Sequence, residues 1–171
     1  MRAFNTSGLN KLVIDVRGNP GGYLEVAVDI ASWFLPAGET IVSEYGIKEE
    51  NQHVFQSYGY YKLPKDVKVA IIMDRGSASA SEILAGALKD HGIATLVGEQ
   101  SFGKGSVQQL FDVTDKTSLK ITVARWFTPS GTSISKSGLT PDIKVERTAE
   151  DREKGADPQL DRAIQFLKTG K

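Results

Sequence analysis

The chain has 171 residues, no cysteine and a net charge of zero, with 21 Lys and Arg against 21 Asp and Glu. The charge balance argues against a nucleic-acid binder and an acidic tail, and the missing thiols exclude a disulfide scaffold, a thiol nucleophile and a cysteine metal site. The length suits one domain with a real core, and no apolar run approaches the roughly 20 residues of a membrane span.

The opening MRAFNTSGLNK has no hydrophobic signal-peptide centre. It reaches a strand-like run almost at once, as a piece of a longer protein would. KLVIDVR (Lys11–Arg17) reads as a buried strand stopped by GNPGG. YLEVAVDIASWFL places Leu24, Ala27, Val28, Ala31 and Leu35 near helical spacing, with Pro36 and Gly38 as stops. ETIVSEYG and HVFQSYGYY read as strands of a polar, aromatic hairpin or flap. VKVAIIM is the best candidate for a central strand. SEILAGALKDHG is a helix with Ile83, Leu84, Ala87 and Leu88 on one stripe and Gly92 as its stop. IATLVGE is another strand. After QSFGKG the period changes to two, and SVQQLFDV and SLKITVARWFT form an antiparallel hairpin across TDKT. TPSGTSISKSGLTPD is a turn-rich loop, IKVE a short strand, and DPQLDRAIQFLK a helix with an Asp cap and Pro at its first position. Strands alternating with helices, followed by a hairpin, predict an α/β domain with a mixed sheet.

Three candidate chemistries arise from single motifs. The two histidines offer no triad: His91 lies in the last turn of a predicted helix, where a cation suits the dipole, and His53 lies in the polar flap. HxxxH and HExxH are absent, so no histidine metal site is expected. GEQSFGKG (Gly98–Gly105) imitates a P-loop, but Gly105 stands where Ser or Thr would hold magnesium, and a strand-like run follows where a helix must open. Nucleotide binding is therefore disfavoured, which leaves Lys104 between glycines without a role. A solvated loop lysine is the ordinary explanation. The other is a general base, since burial favours the neutral amine; an extended segment would put Gln108 on the same face as Lys104. In RGSASASE, Ser79 and Glu82 fit a capping box, yet a turn from strand to helix also suits a nucleophile with amides nearby. RGNPGG is either a plain turn or a close-approaching backbone donor. The local patterns leave these pairs of readings open.

VIDVRGNPGG, RGSASASEILAGALKD, GEQSFGKGSVQ and TPSGTSISKSGLTPDIKV occur in this order, and together they resemble the catalytic core of the C-terminal processing peptidases, or tail-specific proteases. The resemblance runs from about Lys11 to the last helix. It implies a ClpP/crotonase-like fold: a mixed sheet with flanking helices and a C-terminal β-hairpin region. It also implies a serine endopeptidase acting near protein C-termini through an acyl-enzyme. Residue by residue, Ser79 falls on the nucleophile, Lys104 on the base, Gln108 on the residue that positions the base, and the backbone N–H groups of Ala80 and Gly22 on the oxyanion hole. No cofactor or metal is implied. The expected partners are proteins or peptides with apolar C-terminal tails, with no nucleic acid and no membrane span in this chain; a homo-oligomer is left open. The family's PDZ domain and exported start have no counterpart before Lys11. The expectation is a single catalytic core domain over 1–171 whose parent is exported to the periplasm or cell envelope. A non-catalytic binding module on the same fold, or a truncated inactive core, is the alternative.

Overall fold

The computed structural model describes residues 4, 6–46, 52–60, 63–64 and 66–171. Its strands are β1 (Lys11–Asp15), β2 (Thr40–Gly46), β3 (Gln52–Gln56), β4 (Lys68–Met73), β5 (Ala94–Gly98), β6 (Ser106–Thr114), β7 (Thr117–Phe127) and β8 (Ile143–Lys144). The helices are α1 (Leu24–Ala31), α2 (Ala80–Asp90), α3 (Ala149–Glu153) and α4 (Pro158–Thr169). Parallel and antiparallel pairing are both present, but they segregate. One sheet is wholly parallel in the order β1-β4-β5-β8; the other is antiparallel in the order β3-β2-β7-β6.

The apolar run VKVAIIM becomes β4 at the centre of the parallel sheet, with Ala70, Ile71 and Ile72 fully buried. Strands covered on both faces need such unbroken apolar runs. On one face α1 and α2 enclose the larger core, with Val28, Leu35, Ile71, Ile83, Leu88 and Leu96 among its members. On the other, Ala163 and Leu167 of α4 cover Ala70, Ile72 and Val97. α2 is buried almost all round, from Ala80 to Leu88, so its apolar stripe is wider than periodicity predicts.

Several boundaries move. α1 ends at Ala31, and the chain turns through Trp33 and Phe34, whose amides bond to Ile30 O and Ala31 O, before Pro36. The aromatic run predicted as a strand to Tyr61 leaves the sheet at Gln56, because Ser57 turns back to bond Glu39 O and Leu35 O; Tyr61 lies outside the described residues. α3 was not expected: Thr148 and Asp151 form a capping box that starts one short turn.

Candidate active site

Three loops leave the carboxyl ends of adjacent parallel strands: residues 16–23 after β1, 74–79 after β4 and 99–105 after β5. The carboxyl edge of a parallel sheet is where such folds gather their ligands. Here the loops are stitched together. Ala78 N donates to Asn19 O at 3.0 Å, and Phe102 N donates to Ser77 O at 2.9 Å. Gly18 N and Gly76 N both donate to Asp74 Oδ1 at 2.9 Å. The turn-rich segment 128–142 braces the third loop from outside: Ser101 N donates to Leu139 O, Lys136 N to Gly103 O, and Leu139 N to Ser101 Oγ.

The three serines divide by what their hydroxyls do. Ser77 Oγ donates to Val16 O at 2.8 Å and accepts from Asp74 N at 3.0 Å, joining the ends of β1 and β4. Ser81 Oγ donates to Asn19 O at 3.2 Å. Ser79 stands at the N-cap of α2 with φ 56° and ψ −119°, a backbone region that L-residues rarely occupy. Its hydroxyl faces the backbone N–H of Glu82 in a capping box, but too loosely for a regular cap hydrogen bond. Ser79 is thus the strained serine of the three and the one whose hydroxyl bonds no group beyond its own helix turn. Gly21 crosses directly over it with φ +94°; a Cβ at Gly21 would stand 2.6 Å from Ala78 O and 2.7 Å from Ala80 N. Only glycine lets the two turns meet this closely.

Glu82 does more than a capping box requires. Its side chain is almost wholly buried, at 1% exposure. Oε2 accepts from Ser79 N and from Lys104 N, both at 2.9 Å, so the two backbone nitrogens converge on one oxygen atom. Oε1 accepts from Gly103 N at 2.7 Å and from Ser101 Oγ at 2.5 Å. A carboxylate in the first turn of a helix also suits the helix dipole. Sequence reading recognises the local half of this arrangement through S-x-x-E. The bonds to residues 101–104 leave no local pattern and are visible only in the fold.

The backbone of Lys104 is therefore fixed beside that of Ser79, but their side chains are not joined. Lys104 is exposed, and its amine makes no hydrogen bond to Ser79 Oγ. Gln108 lies on β6, paired with Thr122 next to a register shift, and is exposed and not bonded to Lys104. Ala80 N opens α2, where first-turn amides lack intrahelical acceptors. Gly22 is exposed on the first loop with nothing crowding its α-carbon. Beside Gly22 and Ala80 lies a cavity of about 420 Å³, walled by Ile14, Val16, Val26, Ile30 and Leu84. The remaining sequence candidates fall elsewhere. His91 Nε2 lies 2.6 Å from Thr40 O, and His53 sits on β3. A strand opens at Ser106 after GEQSFGKG, so no helix stands there to hold a phosphate. Among the described residues no acidic or histidine cluster could hold a metal, and no helix is long and apolar enough to cross a membrane.

A family model described as peptidase family S41 matches residues 1–145. The chain belongs to peptidase family S41. A relative from Bartonella bacilliformis named carboxy-terminal-processing protease is 44% identical over 155 residues, covering 91% of this chain and 35% of that protein. The carboxy-terminal processing protease CtpB of Bacillus subtilis is 41% identical over 147 residues, covering 86% of this chain and 30% of CtpB. The S41 chain thus spans about a third of the length of these curated relatives. The solved structure of a photosystem II D1 C-terminal processing protease superposes with TM-score 0.76 at 34% identity, over 85% of this chain and 38% of that one. Mature CPAF in complex with lactacystin superposes at TM-score 0.82 over 99% of this chain and 46% of its own, but at 14% identity the likeness is one of fold. The mixed α/β architecture with flanking helices is that of S41 protease structures.

Proposed function

We propose that this chain is the catalytic core of a serine endopeptidase that cleaves proteins near their C-terminal tails. Ser79 is the nucleophile, Lys104 the base, Gln108 the residue that orients the lysine, and the N–H groups of Ala80 and Gly22 the oxyanion donors. The observation that carries the reading is the pairing at Glu82: one buried oxygen holds the backbone of the strained serine and the backbone of Lys104. The apolar cavity beside Ala80 and Gly22 suits an apolar substrate side chain just before the scissile bond.

In this mechanism neutral Lys104 takes the Ser79 proton as Oγ attacks the peptide carbonyl. The tetrahedral oxyanion is held by the two N–H groups. Its collapse breaks the C–N bond, and the leaving amine takes the proton from Lys104. Lys104 then deprotonates a water, which hydrolyses the acyl-enzyme and regenerates Ser79. Because Lys104 is exposed and unbonded to Ser79 without substrate, the reading includes assembly: peptide in the cleft excludes water from the amine and brings it onto the hydroxyl. The same exposure supports a second reading, in which the core folds but its dyad stays unassembled without the rest of the parent protein. The exported setting and apolar-tailed protein substrates implied by the family resemblance belong to the proposal as well.

Cleavage of a protein with an apolar C-terminus, followed by mass spectrometry, tests the assignment. Ser79→Ala and Lys104→Ala should each abolish it; wild-type cleavage by either variant would overturn the dyad. Failure of the wild-type chain alone, with activity restored in the longer parent, would establish the second reading.

A further inference from the structure

The N-terminus of α4 lies on the opposite face of the parallel sheet from α2, yet it reaches the same strand ends as the candidate active site. Asp157 is the N-cap of α4, its Oδ1 accepting from Leu160 N at 3.0 Å. The same carboxylate takes both ends of the Arg17 guanidinium, Nη1 to Oδ1 and Nη2 to Oδ2, each at 2.8 Å. Arg17 also bonds Asp15, with Nε to Oδ1 at 3.0 Å and Nη2 to Oδ2 at 2.7 Å. Gln159, 1% exposed, accepts from Arg17 Nη1 at 3.0 Å and donates to Val145 O at 2.9 Å and Glu99 Oε1 at 3.4 Å. The first turn of α4 therefore touches the chain just beyond β1, β5 and β8.

The consequence depends on where Arg17 sits. It is the first residue of RGNPGG, and five residues later the chain reaches Gly22. Between them, Gly18 N is tied to Asp74, Gly21 N to its neighbour Asn19 Oδ1, and Asn19 O to Ala78 N and Ser81 Oγ. The loop is thus fixed to the Ser79 turn at its centre and to α4 at its start, while Gly22 itself is exposed. A bidentate guanidinium–carboxylate pair fixes orientation as well as distance. Arg17 and Asp157 are both mostly shielded, with side chains 15% and 21% exposed, so water weakens the pair less than it would a surface bridge.

We propose that Asp157 is a positioning residue: through Arg17 it sets the course of residues 17–22 and hence the aim of the Gly22 N–H at the reacting carbonyl. This rests on the proposed peptidase reading for its kinetic consequence, but not for its structural one. Two substitutions separate the clip from the helix cap. Asp157→Ser keeps a good N-cap residue and is too short to reach Arg17. Asp157→Glu keeps a carboxylate that can. In a peptide-cleavage assay with active sites titrated by a fluorophosphonate, Asp157→Ser should lower kcat per active site about tenfold with KM nearly unchanged, as a misaimed transition-state donor does; Asp157→Glu should restore most of it. A merely structural clip would reduce the number of active sites and leave kcat per site intact, and that result would overturn the proposal. Hydrogen exchange gives a readout that needs no activity. The amides of Gly18, Asn19, Gly21 and Gly22 should exchange about tenfold faster in Asp157→Ser, while those of α2 and β4 stay unchanged. Unaltered exchange in 18–22 overturns the clip. Wild-type protein inactive both as this chain and as the longer parent, with faster loop exchange in Asp157→Ser, would sink the peptidase reading and leave the clip standing.

Discussion

Ser77, Ser79 and Ser81 share one residue type and differ in what their hydroxyls touch, so their variants should separate cleanly. Ser77→Ala removes a buried hydrogen bond to Val16 O and a partly buried one from Asp74 N, and should cost about 1–3 kcal/mol in urea denaturation. Ser79→Ala removes a hydroxyl without such bonds and should change stability by less than about 0.5 kcal/mol while ending cleavage. Because the strain at Ser79 lies in the backbone, Ser79→Gly should exceed Ser79→Ala in stability by about 1 kcal/mol. Equal stabilities would mean the left-handed turn carries no cost. Glu82→Gln turns one of the two oxygens, and with it the acceptor of two of the four converging hydrogen bonds, into a donor facing donors, and a destabilisation of about 2–4 kcal/mol is expected from the same titration. Gly21→Ala should separate the two loops it joins, lowering cleavage more than it lowers stability.

At the scale of elements, residue patterning locates the buried strands and helices and also the exposed hairpin. VKVAIIM, SEILAGALKDHG and the period-two hairpin all correspond to observed elements. The misses share a physical cause. The strand predicted through Tyr61 ends at Gln56 because Ser57 makes tertiary hydrogen bonds, and α3 is a short capped turn with no buried residue to give it a period. The candidate site follows the same rule. The family motifs pointed to Ser79 and Lys104, but the joint at Glu82 and the clip at Asp157 connect residues 21 and 140 positions apart, and no local spacing encodes them. The outer part of the β6–β7 hairpin is bare: Leu110, Phe111, Val113 and Leu119 are all exposed on it. Amides near its tip should exchange much faster than those of β4. Equal protection would show that another surface covers the hairpin in solution.

For the molecule as a whole, the Arg17 hydrogen bonds hold the Asp157 carboxyl well below the usual range, at about 2, and they raise the Arg17 guanidinium above its ordinary value. Arg147, 3.7 Å from the same carboxylate, acts in the same direction. A group whose acid form is disfavoured in the fold stabilises it above the unfolded pKa of about 3.9 and loses that contribution as pH falls toward about 2. The stability gap between the wild type and Asp157→Ser should therefore be constant from neutrality to about pH 4 and close between pH 4 and 2, as read from melting temperatures along a pH series. A gap that persisted at pH 2 would mean that the pair contributes through packing alone.

The shared oxygen of Glu82 also bears on time. With the backbones of Ser79 and Lys104 tethered to one buried atom, the proposed dyad assembles without travel of either loop. What remains is rotation of the flexible lysine stem, and exposed side chains change rotamer in picoseconds to nanoseconds, whereas loops move in nanoseconds to microseconds. Mixing this core with substrate should give product formation with no lag on the millisecond scale of a stopped-flow trace, and any delay seen in a longer chain would come from parts outside this core.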